Sequence, residues 1–427
     1  MGLFFLLGLF SFCVLLGVPV AFSLGISAIA AFWYEGLPLV IGFQRIISGI
    51  NVFLLMAIPF FIFAGELMLH GGIAMRLVKF ASAAVGRVRG GLGIVNVFSS
   101  MLFGGISGSA VADISALGSI LVPVMKEKGY DADYAVNVTV TSSIAGIIIP
   151  PSHNMIIFAI AAGGGISISK LFLAGVVPGV LMCICLAVAA YLVAVRRNYS
   201  AEKFPGLSAL VLSFFGAIPG LLTAVIIVGG VLSGVFTVTE SAAFGAIYAF
   251  AVTLFVYRSI TWENFRIAVV QSVRTTSMVM ILIACAAAFA YMLTFYRVPN
   301  KTVDVLTGLT ENPILILLMI NAALLVLGMI MDMAALILIC TPIFLPVANS
   351  LGIDPLQFGM IMLVNLGLGL CTPPVGSCLF VGCAVGKLPM EKAVRTIWPF
   401  YIAIFAALMM ITFIPAISLT LPRLVGA

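Results

Sequence analysis

The sequence predicts an all-α protein that crosses a membrane many times. Three observations carry that reading. Hydrophobic residues make up 63% of the 427 and charged residues 8%, where a soluble domain carries about 25% charge. Mean hydropathy is +1.30. The apolar residues come in continuous runs of crossing length, not in the alternation that an outer-membrane barrel requires. A soluble core of this length cannot hide so much apolar surface. The composition thereby excludes a soluble enzyme, a nucleic-acid-binding module and a disordered scaffold. In lipid every backbone N–H and C=O must bond within the protein, and a helix achieves that inside one segment. The net charge of +6 adds little, because basic residues of a membrane protein gather in loops at the lipid surface.

Apolar runs place crossings near 3–33, 52–71, 92–112, 134–163, 171–195, 218–257, 275–296, 313–331, 358–385 and 396–420. The first run has no charged segment before it and is too long for a signal peptide. The stretches 34–50 and 258–274 are mixed in polarity and read as amphipathic helices along the membrane surface. Thr261 offers the second an N-cap, with Glu263 in its first turn. No polar gap is long enough for an ATPase, and Gly386-Lys387 lacks the surroundings of a P-loop. The eight cysteines (Cys13, Cys183, Cys185, Cys285, Cys340, Cys371, Cys378, Cys383) form no CxxC pair, and nearly all lie in apolar runs. With only two histidines in the chain, they read as small core residues and not as a disulfide framework or zinc site.

The chain contains an internal repeat. Val122-Pro123-Val124, Gly129-Tyr130-Asp131 and Ile149-Pro150-Pro151 return as Leu345-Pro346-Val347, Gly352-Ile353-Asp354 and Thr372-Pro373-Pro374, every pair offset by 223 residues. Asp113 through Leu117 matches Asp332 through Leu336 at an offset of 219, which implies a four-residue insertion in the second copy. The expected organisation is a first repeat at 1–195, a linker at 196–225, a second repeat at 226–420 and a tail at 421–427. Each repeat contains a surface arm (34–50, 258–274), a re-entrant hairpin (104–123, 328–346) and a broken helix (134–163, 358–385). Five crossings per copy, an odd number, invert the second copy relative to the first, as in secondary transporters. The run 218–257 is longer than one crossing needs, and a double crossing there removes that odd count. Lys and Arg divide 11 to 9 between the two sides, too evenly to set orientation.

The polar interruptions of the apolar runs carry the chemistry. Gly104-Gly105-Ile106-Ser107-Gly108-Ser109 followed by Asp113 lets a helix break and turn at membrane depth, freeing carbonyls and hydroxyls for a cation. An acid in an apolar run is costly and is a functional candidate for that reason; a tight crossing of small residues explains the same glycines. In Ile149-Pro150-Pro151-Ser152-His153-Asn154 two prolines remove two amide donors in mid-span, and a polar triplet sits at the break; a plain proline kink is the alternative. Gly328-Met329-Ile330-Met331-Asp332 and Cys371-Thr372-Pro373-Pro374-Val375-Gly376-Ser377 repeat both devices in the second copy. By that symmetry Gly146, Ile148 and Pro151 correspond to Gly369, Cys371 and Pro374, whose carbonyls are candidate sodium ligands. Glu240, in Phe236-Thr237-Val238-Thr239-Glu240, is a further acid inside an apolar run. Glu66 and His70 read as interfacial, and Arg274 before Thr275-Thr276-Ser277 as a helix-end anchor.

These motifs, in this order over nearly the whole chain, resemble the large membrane subunit of tripartite ATP-independent periplasmic (TRAP) transporters. Val238 departs from the pattern, standing where proline is expected. The resemblance implies sodium-driven uptake of an organic acid anion (a C4-dicarboxylate, a sialic acid or a related sugar acid) across a bacterial inner membrane. It implies two partners, a small four-helix membrane subunit and a periplasmic substrate-binding protein, and no cofactor beyond the coupling ion Na+. It also implies an elevator-type fold, in which the arms brace a moving domain, and a periplasmic N-terminus. Carried residue by residue, Ser107, Gly146, Ile148 and Pro151 form one sodium site, and Asp332, Gly369, Cys371 and Pro374 the other. The substrate is expected near Ser109, Ser152, Asn154, Thr372 and Ser377, held by hydroxyls, amides and helix N-termini in the absence of a nearby Arg or Lys. Two other readings stand beside it. A channel also uses re-entrant hairpins. An intramembrane serine protease would pair Ser107 in Gly105-Ile106-Ser107-Gly108 with His153, but the second copy has neither residue at the matching places.

Overall fold

The computed structural model describes residues 1–201, 205–310 and 312–425. Among these, helices follow one another through short connections, and the single β feature is an isolated bridge between Arg89 and Ala201. Six described helices are long and apolar enough to cross a membrane: Phe53–His70, Ile168–Arg196, Leu207–Leu232, Val238–Val256, Trp262–Phe295 and Met333–Ser350. Two bent pairs extend the set, Ala132–Ile148 with His153–Ala161 at 53° and Met390–Thr396 with Trp398–Phe413 at 58°. The chain is a multi-pass membrane protein.

Several expected segments divide differently, each for a local reason. The run 3–33 is not one crossing but two short helices, Gly2–Leu15 and Val20–Tyr34, packed on each other. Gly17 takes φ +83 between them, and Pro19, without an N–H, starts the second. The run 218–257 also divides, into Leu207–Leu232 and Val238–Val256, with Gly234 at φ +70 in the break. The odd count of crossings is therefore lost, while both copies gain the same two helices ahead of the arm. The linker expected at 196–225 contains the start of Leu207–Leu232, an apolar helix that runs through Pro219. The arm at 258–274 is not a separate helix. Thr261 does cap it, its hydroxyl accepting from the Asn264 amide at 3.2 Å, but Trp262–Phe295 then continues unbroken because no Gly or Pro interrupts it. The first arm, Leu39–Ile50, does end on its own. The run 92–112 ends early, at Ser107, where Gly108 takes φ +63. The run 396–420 is cut at Pro415, between Trp398–Phe413 and Pro415–Leu424.

Packing sorts the helices into two groups. Val20–Tyr34 and Leu39–Ile50 lie on Trp262–Phe295, and Ala57–His70 lies between Val238–Ala251 and Trp262–Phe295. The second group holds the broken segments. Gly91–Ser107 packs on Ala132–Ser142 and Ala145–Ile148, and Pro313–Gly328 packs on Pro355–Leu370. The two copies interlock: His153–Ala161 lies on Met333–Ser350, and Ser377–Gly386 lies on Ala132–Ser142. Lys126 Nζ donates to the Gly386 carbonyl at 2.5 Å across that junction. Arg197 clamps the start of the first broken helix, its two terminal nitrogens each donating to Asp133 at 2.8 Å.

Two glycine contacts set the depth of this packing. A Cβ on Gly104 would lie 2.5 Å from the Gly146 Cα, and one on Gly369 would lie 2.6 Å from the Gly328 carbonyl carbon. Helix backbones touch at both places, as small residues allow in a membrane. Beside them, buried amides tie the same helices together. Asn96 Nδ2 donates to Thr139 Oγ1 at 2.6 Å, and Asn365 Nδ2 donates to Asn321 Oδ1 at 2.7 Å. Gly369→Ala is expected to force these helices apart at a cost of about 1–3 kcal/mol, read as a lowered unfolding midpoint in detergent. Gly229→Ala, with nothing within 4 Å of the added methyl, is expected to leave the midpoint unchanged or raise it.

Candidate functional site: four helix starts around one cavity

Four breaks interrupt the second group, and a helix begins at each. At the first, Ser109 is extended (φ −137), and its Oγ accepts from the Ala112 amide at 3.5 Å to open the helical stretch 110–127. At the second, cis Pro150-Pro151 precedes His153–Ala161. At the third, Asp332 caps Met333–Ser350, its Oδ2 accepting from the Ala334 amide at 3.0 Å. At the fourth, cis Pro373-Pro374 and Gly376 at φ +43 precede Ser377–Gly386. Val375 N donates to the Met329 carbonyl at 3.1 Å, tying the fourth break to the third.

The four starts face one cavity of about 540 Å³. Ser109, His153, Asn154, Asp332 and Ser377 line it on this side. Pro19 through Phe22, and Met278, Val279, Ile281 and Leu282 with Thr275, line it from the other group of helices. No lysine or arginine is among the lining residues. Beneath the first break is a dry acid. Asp113 is 1% exposed; Ser107 Oγ donates to its Oδ1 at 3.1 Å, and Oδ2 has no hydrogen-bond partner. A Cβ on Gly146 would stand 3.5 Å from Ser107 Oγ and 3.6 Å from Asp113 Cγ, and one on Gly108 would stand 3.4 Å from the Pro151 carbonyl oxygen.

Comparison with known proteins gives this geometry a family. Residues 7–417 match the family described as tripartite ATP-independent periplasmic transporter, DctM component. The chain belongs to the TRAP transporter large permeases. It is 42% identical over 372 residues to the C4-dicarboxylate TRAP transporter large permease protein DctM of Pseudomonas aeruginosa, covering 87% of each chain. It is 36% identical to the sialic acid TRAP transporter large permease protein SiaM of Vibrio cholerae, covering 96% of this chain and 95% of that one. In fold it is similar to the YdaH transporter of Alcanivorax borkumensis, with a TM-score of 0.63 at 13% identity over 90% of this chain and 88% of that one. A TRAP large permease is a transport protein and not an enzyme. In keeping with that, the Ser107 hydroxyl is engaged with Asp113, and no hydrogen bond joins it to His153.

In this permease the residues expected around sodium and substrate divide into those brought together and those kept apart. Ser107, Asp113, Gly146 and Pro151 meet at the first and second breaks. The Ile148 carbonyl is turned towards Gly175 of Ile168–Arg196. In the second set, Gly369 lies on Gly328. The Cys371 carbonyl accepts from Tyr401 Oη at 2.5 Å, Pro374 is exposed, and the Asp332 carboxylate is engaged with its own helix start. Of the expected substrate residues, Ser109, Asn154 and Ser377 line the cavity. Ser152 is fully buried behind it with an unpartnered hydroxyl, and Thr372 Oγ1 donates to the Leu368 carbonyl at 2.7 Å. Glu240 is exposed and outside the lining, where its Oε2 accepts from the Thr237 amide and hydroxyl, both at 2.8 Å, in a capping box.

The register of the repeat also changes. As caps, Ser109 and Asp332 are equivalent and stand 223 residues apart, the same offset as the proline motifs. No insertion is needed, and the partner of Asp113 is the buried apolar Leu336. The wall from Pro19 to Phe22 and from Thr275 to Leu282 escaped the sequence reading because apolar lining residues look like any membrane helix. Ser107→Ala is expected to remove a hydrogen bond from the buried Asp113 carboxyl, at a cost of about 1–3 kcal/mol. A double-mutant cycle with Asp113→Leu, read by unfolding in mixed micelles, is expected to recover most of that loss as coupling.

Proposed function

We propose that this permease carries out sodium-coupled secondary uptake of an organic acid anion across the bacterial inner membrane, by an elevator mechanism. The observation that supports it best is the convergence of four helix starts on one cavity with no lysine or arginine in its lining. A helix N-terminus carries about half a positive charge and free N–H groups. Such a site holds a carboxylate without a fixed cation, and a co-bound sodium ion supplies the rest of the charge. The relatives named as C4-dicarboxylate and sialic acid TRAP permeases agree with an organic acid.

In this reading the two copies supply one sodium site each. The first uses Ser107, Gly146, Ile148 and Pro151, with the unpartnered oxygen of Asp113 beside it as a counter-charge. The second uses Asp332 with the carbonyls of Gly369, Cys371 and Pro374. Sodium is hard and takes backbone oxygens whatever the side chain. The group with the four breaks is the moving domain, and the group around Trp262–Phe295 is the scaffold. A small four-helix membrane subunit and a periplasmic binding protein complete the transporter, and the N-terminus faces the periplasm.

Proteoliposomes holding the permease and its small subunit test this. With the loaded binding protein outside, uptake is expected only under an inward sodium gradient. Ser107→Ala and Asp332→Ala are each expected to raise the sodium concentration for half-maximal uptake by at least about tenfold, or ~1.4 kcal/mol. Uptake that persists without sodium or without binding protein overturns the coupling and favours a channel.

A further inference from the structure

The cavity is not uniform in its chemistry, and its asymmetry limits what fits. Two of its four helix starts are closed by their own chain: Ser109 caps the stretch from Ala110, and Asp332 caps the helix from Met333. The other two, at His153 and Ser377, have no side-chain cap. The free donors lie at those two places. Asn154 is only 5% exposed yet lines the cavity, and its side-chain amide makes no hydrogen bond. That amide opens on the cavity with no protein partner, so it is available to a ligand there. His153 and Ser377 also line the cavity without hydrogen-bond partners. His153 adds an imidazole to these donors. A Cβ on Gly108 would lie 3.3 Å from its Nδ1, so that nitrogen lies against the first break and Nε2 is left for a ligand.

The rest of the lining refuses a second charge. Phe22, Met278, Val279 and Leu282 face these donors with apolar surface. Asp332 is the only acid in the lining, and its carboxylate is engaged with its own helix start. A second anionic group, or a ring of hydroxyls, would lose its water there for few partners, Thr275 being the polar residue of that wall.

We propose that this cavity takes an organic acid with one anionic end and a largely apolar body. The carboxylate sits at the start of His153–Ala161, bound by His153 and Asn154, with Ser377 reaching it or an adjacent hydroxyl. The body lies against Phe22, Met278 and Leu282. This rests on the transport reading and narrows it, since C4-dicarboxylates and polyhydroxylated acids become poor ligands. The cavity volume of about 540 Å³ suits a small acid, within the ~300–1,000 Å³ of small-molecule sites.

Binding to the purified full-length permease with its small subunit, by calorimetry in sodium chloride, tests the proposal. The probes are 2-hydroxy-4-methylpentanoate, succinate and gluconate. The first is expected to bind at least about tenfold more tightly than the other two. His153→Leu and Asn154→Leu are each expected to weaken it by about tenfold or more, and His153→Gln, which keeps a donor, by no more than about threefold. Elution profile and unfolding midpoint without acid establish that each variant folds. Succinate or gluconate binding as tightly, no binding of any probe, or an unchanged affinity in His153→Leu overturns the proposal. Sodium-driven uptake of the binding protein's own ligand by the same preparation separates the two levels. If it persists, only the substrate class is wrong; if it is absent, the transport reading falls as well.

Discussion

Everything in this structure depends on how the backbone satisfies its hydrogen bonds away from water. A helix does so within itself, and a break does not. Each of the four breaks leaves N–H and C=O groups that lipid would punish, so the breaks must be buried in protein or face a polar cavity. Here they do both. The carbonyl ends are covered by neighbouring helices, as the Gly328–Gly369 contact and the Val375–Met329 hydrogen bond show. The amide ends open on the shared cavity. A site for an anion is thus a by-product of interrupting helices in lipid, provided that the interruptions are brought to one place.

Interlocking of the two copies brings them there. His153–Ala161 belongs to the first copy but rests on Met333–Ser350 of the second, and Ser377–Gly386 rests on Ala132–Ser142 of the first. Neither copy builds the cavity alone. The glycine contacts matter for the same reason. Gly104 against Gly146 and Gly369 against Gly328 let helix backbones touch, which holds each break close to its neighbour. The amide pairs Asn96–Thr139 and Asn321–Asn365 bind the same helices where no hydrophobic effect acts between them.

The copies are alike in outline but not in electrostatics. Ser109 and Asp332 do the same work as caps, yet one is neutral and one is an acid that faces the cavity. Asp113 is buried behind the first break with one free oxygen, while its counterpart Leu336 is apolar. One acid therefore lies dry beneath the cavity and the other in its wall. That difference separates the roles of two halves that sequence symmetry treats as equal.

The helical class and the positions of all four breaks were legible in the sequence, because they follow from covalent facts. A proline lacks an N–H, glycine most readily takes φ values such as the +63 at Gly108, and long apolar runs must be helices in lipid. The same facts act at Gly17 and Gly234, where a glycine inside a long apolar run divides it into two helices. What the sequence could not decide was which residues meet. The equivalence of Ser109 and Asp332 as caps depends on where the two helices start, and the Glu240 carboxylate closes a capping box away from the cavity. The facing wall from Phe22 and Met278 to Leu282 was invisible for a simpler reason. An apolar side chain that lines a cavity and one that faces lipid obey the same pattern, and only the tertiary structure tells them apart.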